Sequence, residues 1–347
     1  MTFSKEFSGN NPLGHIGTKK AVYIRFLELC VEAGWDTYVL TKKTYKGNGI
    51  FEGVWKFSDE KFTPITEPVK INLVYDRSAG VSFPPDGDKS IIFVNRRDFK
   101  VLCWDKWKAY AEIGEYMPKT ETVKSKEELP EVLSRLKTDT VVLKPYNGLK
   151  GIGVYIGPKD GAESFEMNKK YKLYIAQEFV DTSGGIAGIT TGLHDLRLAI
   201  VNTKVVWSHV RVPPEGSLKA NAAAGGILTE VSLEKIPENV LKIAEKIAKE
   251  FSQKYDNPTY SLDFGIDKSG KPYIFEINDQ IGFPKWEMKN RDSFLKELVV
   301  NFKNKLKSPV GDLLDLGGSL KTNKPPLTNE ELDDVVAQAV IDDFNEA

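Results

Sequence analysis

The sequence predicts a small α/β layer at its N-terminal end followed by a larger body of paired strands and helices, and three observations carry that reading. The chain has 347 residues, too many for one ordinary hydrophobic core and enough for two or three subdomains. Between residues 18 and 94 one helical pattern alternates with short apolar strands, as in a small parallel α/β layer. Farther on, two strand–turn–strand segments and one long amphipathic helix fall between residues 195 and 278.

Composition narrows the class before any motif does. Hydrophobic residues make up 41% of the chain and charged residues 28%, which is ordinary for a soluble globular protein. A net charge of -1 gives no electrostatic reason for nucleic acid or an anionic membrane as partner. Cys30 and Cys103 have no neighbours at zinc-ligand spacing and read as reduced core thiols. The opening MTFSKEFSGNNPLGH lacks an apolar leader region, and no window approaches the roughly 18 apolar residues of a membrane span. A cytoplasmic enzyme or binding protein is the expectation, with neither membrane nor nucleic acid as partner.

Residues 1–17 contain nothing strand-like, although a doubly wound layer opens on a strand. Either that strand is missing or the segment has another job, such as covering a site with Asn10, Asn11 and His15. Thr18 can cap a helix whose apolar positions Val22, Phe26, Leu29 and Cys30 keep helical spacing as far as Gly34, a natural stop. Strands are expected at 37–40, 71–75 and 91–94, with a glycine-rich stretch, TYKGNGIFEGVWKF, after the first. One helix should run from Asp98 through Met117, ending before Pro118. A second covers 125–136, with glutamates in its first turn and Arg135 near its end, as the macrodipole favours.

A strand over 140–145 runs into a glycine loop, Gly148-Leu-Lys-Gly-Ile-Gly153, and strand character resumes at 154–156. Dinucleotide sites of similar spacing require a helix directly after the glycines, so that reading is rejected. What remains is a turn whose bare N–H groups could approach phosphates, with Lys144 just before it and Lys150 inside it. An ordinary long hairpin loop is the alternative. Strands at 173–180, 195–201 and 205–210 follow, the last two a hairpin in which Asp195, Arg197 and Ala199 share one face. A run of small residues from 219 to 226 contains one amide, Asn221, and would let a backbone come close to something large.

Residues 238–255 give the cleanest helix, with Val240, Leu241, Ala244, Ile247, Ala248 and Phe251 in one apolar stripe. It feeds the segment from Tyr260 to Asn278, two strands joined by the turn Lys268-Ser-Gly-Lys271. If Asp267 pairs with Pro272, Asp263 lies directly opposite Glu276, roughly 4.5–5.5 Å away at Cβ. Asn278 falls on the same face. Two carboxylates that close repel each other, so the cluster suits a hard cation such as Mg²⁺, which completes its shell with waters and phosphate oxygens. The polar outer face of an exposed hairpin is the alternative. Beyond a helix over 292–306 come a Gly/Pro-rich linker, 308–327, and an acidic helix opened by the capping box Thr328-Asn-Glu-Glu331, expected to dock on the chain's own body.

Taken together, these pieces resemble the ATP-grasp superfamily over roughly residues 98–306. The resemblance rests on ordered motifs: Asp105-Lys106, Pro118-Lys-Thr120, Leu143-Lys-Pro145, the loop from Gly148 to Gly153, Gln177-Glu-Phe-Val180, Asp195-Leu-Arg197, Arg211, Asn221 with Ala223-Ala-Gly-Gly226, and then Asp263, Glu276 and Asn278. Arg211, the small-residue run and the Asp/Glu/Asn set look most like glutathione synthetases and RimK-type ligases. The N-terminal part, through Tyr75-Asp-Arg-Ser78 and Asn95-Arg-Arg-Asp-Phe99, more loosely resembles the YheC/YheD-like ATP-grasp proteins associated with spore coats.

The fold so implied is an α/β N-terminal pre-ATP-grasp layer, residues 1–104, plus an α+β ATP-grasp domain of two subdomains with ATP between them. The central subdomain, 105–176, carries the glycine loop; the C-terminal one, 177–307, carries the Mg²⁺ site; 308–347 are linker and acidic helix. The resemblance implies that Lys106 and Lys144 meet the phosphates while Gly148, Lys150, Gly151 and Gly153 fold over them and exclude water. Gln177 and Glu178, with the backbone of Phe179 and Val180, would serve the adenine, and Asp263, Glu276 and Asn278 would hold one or two Mg²⁺ (or Mn²⁺) ions. The implied reaction is ADP-forming: ATP activates a carboxylate as an acyl phosphate, which an amine attacks to form a C–N bond. Arg197 and Arg211 would meet the charge on the transferring and acyl oxygens, with Asn221 as a polar contact. The partners are a small acid, amino acid or peptide and an amine, with a homo-oligomer left open.

No covalent nucleophile is required, and His194 and His209 read as structural or solvent-exposed and not as catalytic. One departure bears on substrate: after Asn278 such ligases carry a small-residue run ending in proline, whereas this chain reads Asp279-Gln-Ile-Gly-Phe-Pro284. Asp279 and Gln280 thus stand where an acceptor's polar end would bind. A non-catalytic nucleotide-binding or structural protein of the same fold is the alternative, disfavoured because Arg211, Asn221 and three metal ligands occur together.

Overall fold

Two short parallel pairings and an antiparallel meander make up the N-terminal part of the protein, seen in a computed structural model that describes residues 1–3, 11–83, 85, 88–148, 151–218 and 226–307. Its elements are β1 (Thr2–Phe3), α1 (Lys20–Glu32), β2 (Thr37–Thr41), β3 (Tyr45–Gly47), β4 (Ile50–Phe51), β5 (Val54–Ser58), β6 (Lys61–Ile65), β7 (Val69–Lys70), β8 (Leu73–Tyr75) and β9 (Ile92–Val94). Helix α1 buries Val22, Phe26, Leu29 and Cys30 as its spacing requires. It gives way to Gly34, whose φ of +85° is cheap only for glycine. Thr18 is not its cap, since it lies in a 3₁₀ segment, Gly14–Lys19, ahead of the helix.

The apparent lack of a first strand is corrected. Thr2 and Phe3 pair in parallel with Leu40 and Thr41, and two residues are too few to show a periodic pattern. Of the segment offered as a cover, Asn10 lies outside the described residues, and His15 sets its ring edge-on to Phe3, 4.8 Å away. Residues 45–70, read only as glycine-rich at their start, supply five strands. One sheet has the order β1-β2-β5-β6, a second β3-β4-β7, and β8 pairs with β9. Among the described residues the parallel ladders are β1–β2 and β8–β9, so the layer is more antiparallel than its alternation suggests.

The single helix expected over 98–117 is two, α2 (Arg97–Trp104) and α3 (Lys106–Ile113). Asp105 leaves the helical region (φ -102°, ψ 101°) and its carboxylate accepts the N–H groups of Trp107 and Lys108, so α3 begins with a cap of its own. The amide of Lys106 donates to the carbonyl of Tyr146 at 2.9 Å, which fixes that lysine beside the glycine loop. β10 (Thr120–Val123), α4 (Leu129–Ser134), β11 (Thr140–Pro145), β12 (Tyr155–Pro158), α5 (Lys159–Glu163) and β13 (Tyr174–Glu178) follow. They form an antiparallel sheet in the order β10-β13-β11-β12. The glycine loop is the turn of its β11–β12 hairpin.

The last sheet, order β16-β15-β14-β17-β18, is built from β14 (Asp195–Val201), β15 (Lys204–Val212), β16 (Ile227–Glu230), β17 (Thr259–Ile266) and β18 (Pro272–Asn278), with α6 (Glu238–Lys254) and α7 (Arg291–Leu306). Alternation decides what each face does. Leu196, Leu198 and Ile200 pack with the apolar stripe of α6. Ala199 and Val201 pack on the opposite side with Phe26, Phe283 and Leu298. Arg197 and Asp195 continue that second face past the end of the apolar cover, as the sequence places them. No helix among the described residues is long and apolar enough to cross a membrane. The expected linker and acidic C-terminal helix lie outside the described residues.

Candidate active site

A cavity of about 470 Å³ opens between the β10–β13 sheet and the five-stranded sheet. One wall is the glycine hairpin and its neighbours: Val142 and Lys144 on β11, Gly148 and Gly151 in the turn, Val154 and Ile156 beyond it, Lys106 on α3, and Gln177, Glu178, Phe179 and Val180 at the end of β13. The facing wall carries Asp195, Arg197, Arg211, Asp263, Phe275, Glu276 and Asn278. Residues chosen from scattered sequence motifs therefore meet across one cleft. Gly153 stays out of the lining. At φ +71° it turns the chain where a Cβ would come within 3.1 Å of the Tyr174 hydroxyl and 3.2 Å of the Pro145 ring. Lys150 and Asn221 lie outside the described residues.

Asp263 does face Glu276, by a route the sequence does not show. The hairpin closes at Ile266–Pro272, one residue off the expected pairing, and a β-bulge at Phe275 restores the Asp263–Glu276 register. The bulge also turns Phe275 toward the cavity, over Gly265, where an added Cβ would lie 2.0 Å from the Phe275 ring.

The two carboxylates have different surroundings. Asp263 is 4% exposed. Its Oδ1 accepts Arg197 Nε at 2.6 Å, and its Oδ2 accepts Arg197 Nη2 at 2.6 Å, Arg211 Nη2 at 2.8 Å and Asn278 Nδ2 at 3.3 Å. Burial alone would raise its pKa, but the two guanidiniums hold it well below the usual carboxylate range. Glu276 is 31% exposed and lies 3.0 Å from Lys106 Nζ, which also donates to the carbonyl of Gly148 at 2.9 Å.

Lys144 donates to Gln177 Oε1 at 3.0 Å, and Gln177 Nε2 to Thr120 Oγ1 at 2.8 Å. Burial pushes the Lys144 ammonium down to about 8, with Glu276 opposing the shift and Lys106 adding to it. The Glu178 carboxylate accepts the Lys137 amide at 2.7 Å.

Asp195 is the member whose role the sequence missed. Its Oδ2 accepts from Arg211, its buried Oδ1 has no partner among the described residues, and burial followed by the Asp263 charge raises it to about 7. The face shared with Arg197 and the Asp195-Leu-Arg197 motif hinted at it. His194 lines the cavity, and both His194 and His209 are buried. His194 Nε2 accepts the Ile266 amide at 3.2 Å, and His209 is buried against the Trp207 ring at 4.5 Å.

The donor set fits a hard cation. Asp263 Oδ1 has accepted one N–H and keeps a lone pair, Asn278 has spent its amine and keeps its carbonyl oxygen, and Glu276 is half-open. Among the described residues no three His, Cys, Asp or Glu side chains converge, so such an ion would take the rest of its shell from water and ligand oxygens. Arg211 Nε, buried and without a partner among the described residues, is a donor left over for a ligand.

A deep cleft between two antiparallel sheets, roofed by a glycine hairpin and holding lysines on one side and an Asp/Glu/Asn set on the other, is the arrangement of the ATP-grasp class. Within that class the chain belongs to the family of RimK-like ATP-grasp domains, whose family model matches residues 102–300, more than half of its length. A probable alpha-L-glutamate ligase of Halorhodospira halophila is 28% identical over 49% of this chain and 52% of its own. The chain spans about half the length of the curated relatives it matches. Among solved structures, D-alanyl-alanine synthetase A from Vibrio cholerae superposes with a TM-score of 0.57 at 16% identity, covering 88% of this chain and 97% of that one. The ATP-grasp ligase PsnB, complexed with minimal precursor, Mg and ADP, gives 0.53 at 9% identity, over 87% and 97%. At such identities the two structures show the fold.

Proposed function

We propose that the protein is an ADP-forming, ATP- and Mg²⁺-dependent carboxylate–amine ligase that activates an amino acid, peptide or small acid as an acyl phosphate and joins it to an amine. The observation that carries this reading is the Arg197–Asp263–Arg211 array in the same cleft as Lys106, Lys144 and Glu276. A protein that only held nucleotide would need the lysines and the glycine hairpin. It would have no use for two buried guanidiniums locked in place beside the metal-type ligands. The curated relatives' name, probable alpha-L-glutamate ligase, supports this class of reaction without selecting the acid.

In this reading the adenine rests on Val142, Val154 and Ile156, and its edge meets the backbone at Glu178–Val180. The phosphates reach Lys106 and Lys144. Glu276, Asn278 and the free lone pair of Asp263 would hold one or two Mg²⁺ ions, which would neutralise phosphate charge during the transfer. Arg197 and Arg211, already oriented by Asp263, present donors to the oxygens that gain charge as the acyl phosphate forms and collapses. Asp195 holds Arg211 from the other side. The substrates are small molecules, and the setting is the ATP-containing cytoplasm.

Purified protein with Mg²⁺ and ATP is expected to release ADP and phosphate only when an acid and an amine are both supplied. A screen of amino acids and dipeptides that gives no ADP above background would count against the ligase. A pH dependence follows from Lys144. Its ammonium is half protonated near pH 8 in the free protein, and bound phosphate favours the charged form. ATP affinity is therefore expected to weaken as pH rises past 8, by about tenfold per pH unit at the steepest, and binding at pH 8 should take up part of a proton. Calorimetry in buffers of different ionisation enthalpy reads both; an affinity flat from neutral to alkaline pH would remove Lys144 from the phosphate site.

A further inference from the structure

Beyond the cleft, where the N-terminal layer meets the end of β18, two cations make no ion pair among the described residues. Arg77 follows β8, and β1 pins it there: its amide donates to the carbonyl of Thr2 at 2.9 Å. Its Nη1 donates to the Tyr75 hydroxyl at 3.1 Å and its Nη2 to that of Tyr23 at 3.4 Å. The guanidinium lies 5.3 Å from the ring centres of both Tyr75 and Phe283, and its buried Nε has no partner among the described residues. Lys19, just ahead of α1, donates to the carbonyl of Phe283. Burial lowers its pKa to about 8, helped by the like charges of Arg77, Lys285 and Arg197. Phenols, rings and a carbonyl solvate these charges without cancelling them, and half-buried cations of that kind are costly until an anion joins them.

The nearby carboxylates are otherwise engaged. Asp76 is ion-paired with buried Lys100. Asp279 accepts Gln280 Nε2 at 2.9 Å and feels the charges of Lys100 and Arg77, but makes no ion pair with Arg77 or Lys19. Gln280 Nε2 also donates to the carbonyl of Asp76 at 3.1 Å, which ties the stretch just after Asn278 to the strand carrying Arg77. Lys19 is bonded to Phe283, on the stretch that leaves the cleft wall at Asn278.

We propose that Lys19 and Arg77 bind a carboxylate of the substrate that does not react, so that the ligase takes an acid with a second anionic group, an acidic amino acid or another dicarboxylate. The ligand's role as a ligase substrate rests on the function proposed above; the anion site itself rests on Lys19, Arg77 and their surroundings. A substrate held there by its remote carboxylate would extend from Phe283 past Asn278 toward Arg197 and Arg211.

The test uses the full chain without nucleotide, with L-glutamate, glutarate and the neutral diamide of glutarate as probes, read by calorimetry and thermal midpoint at constant ionic strength. The two acids are expected to bind and the diamide not. Lys19→Gln should weaken acid binding by about tenfold or more, the usual worth of a charge-assisted hydrogen bond, and leave MgATP affinity unchanged. Arg77→Gln should do the same, and because it also removes ring contacts its fold is checked by circular dichroism; Lys19→Gln decides if that variant unfolds. Acids that bind no better than the diamide, or a folded Lys19→Gln variant with unchanged acid affinity, would overturn the site. Binding is measured without turnover, so acid binding in a protein that releases no ADP would keep the site and remove the ligase, and the converse holds.

Discussion

Glu276→Gln is expected to lower ADP-forming turnover by about 100-fold or more, the scale on which metal and oxyanion contacts act, and to leave the folded state almost untouched. Glu276 is 31% exposed and its ion pair is with Lys106, which keeps a second acceptor in the carbonyl of Gly148. The glutamate end of the pair is open to water and Lys106, 11% exposed, keeps its carbonyl partner, so the cost in stability is about 1 kcal/mol, and glutamine fills the same volume. What the variant loses is a charge on the cavity wall. Activity titrated against Mg²⁺, beside a thermal unfolding curve, separates the two effects. Full activity at limiting Mg²⁺ would show that Glu276 holds no metal.

The sequence placed Asp263 opposite Glu276 from a pairing, Asp267 with Pro272, that the hairpin does not make; from the pairing it does make, Ile266 with Pro272, strict alternation would set Asp263 opposite Phe275, and the bulge restores the match. The bulge at Phe275 was not legible, since it depends on Phe275 settling over Gly265, a contact between strands and not a property of either. Periodicity found α6 and its stripe, and Gly34 marked the end of α1. It failed where an element is too short or a turn uses unusual residues. β1 has two residues, and Asp59 and Glu60, both at positive φ, make the tight turn between β5 and β6 without the glycine that normally signals it. Asp105 was legible as a motif but not as the cap that splits one helix into two. Asp195 and Arg77 escaped for a further reason: what marks each is an unbalanced charge in a buried setting, and charge balance exists only once distant segments have come together.

Asp263→Asn tests the other half of the cluster, and here the expected loss is in stability. The carboxylate is 4% exposed and takes four hydrogen bonds, three of them from Arg197 and Arg211. Removing its charge strands Arg197, whose acidic partner it is, and leaves Arg211 with Asp195 alone. Breaking a buried pair in this way costs about 3–5 kcal/mol because an uncompensated charge stays behind. The stranded charge, and not the missing contact, should dominate that cost. Adding Arg197→Met to Asp263→Asn is therefore expected to recover part of the lost stability while activity stays absent, a non-additivity of about 0.5–3 kcal/mol for residues in contact. Chemical denaturation of the two single variants and the double variant closes the cycle. If Asp263→Asn unfolds at the wild-type midpoint, water reaches the arginines and the array is not the buried scaffold its geometry describes. If the double variant is less stable than either single, Arg197 has a second role in packing beside Ala199. A full recovery would instead mean that Asp263 serves the fold only through Arg197, leaving Arg211 to be held by Asp195.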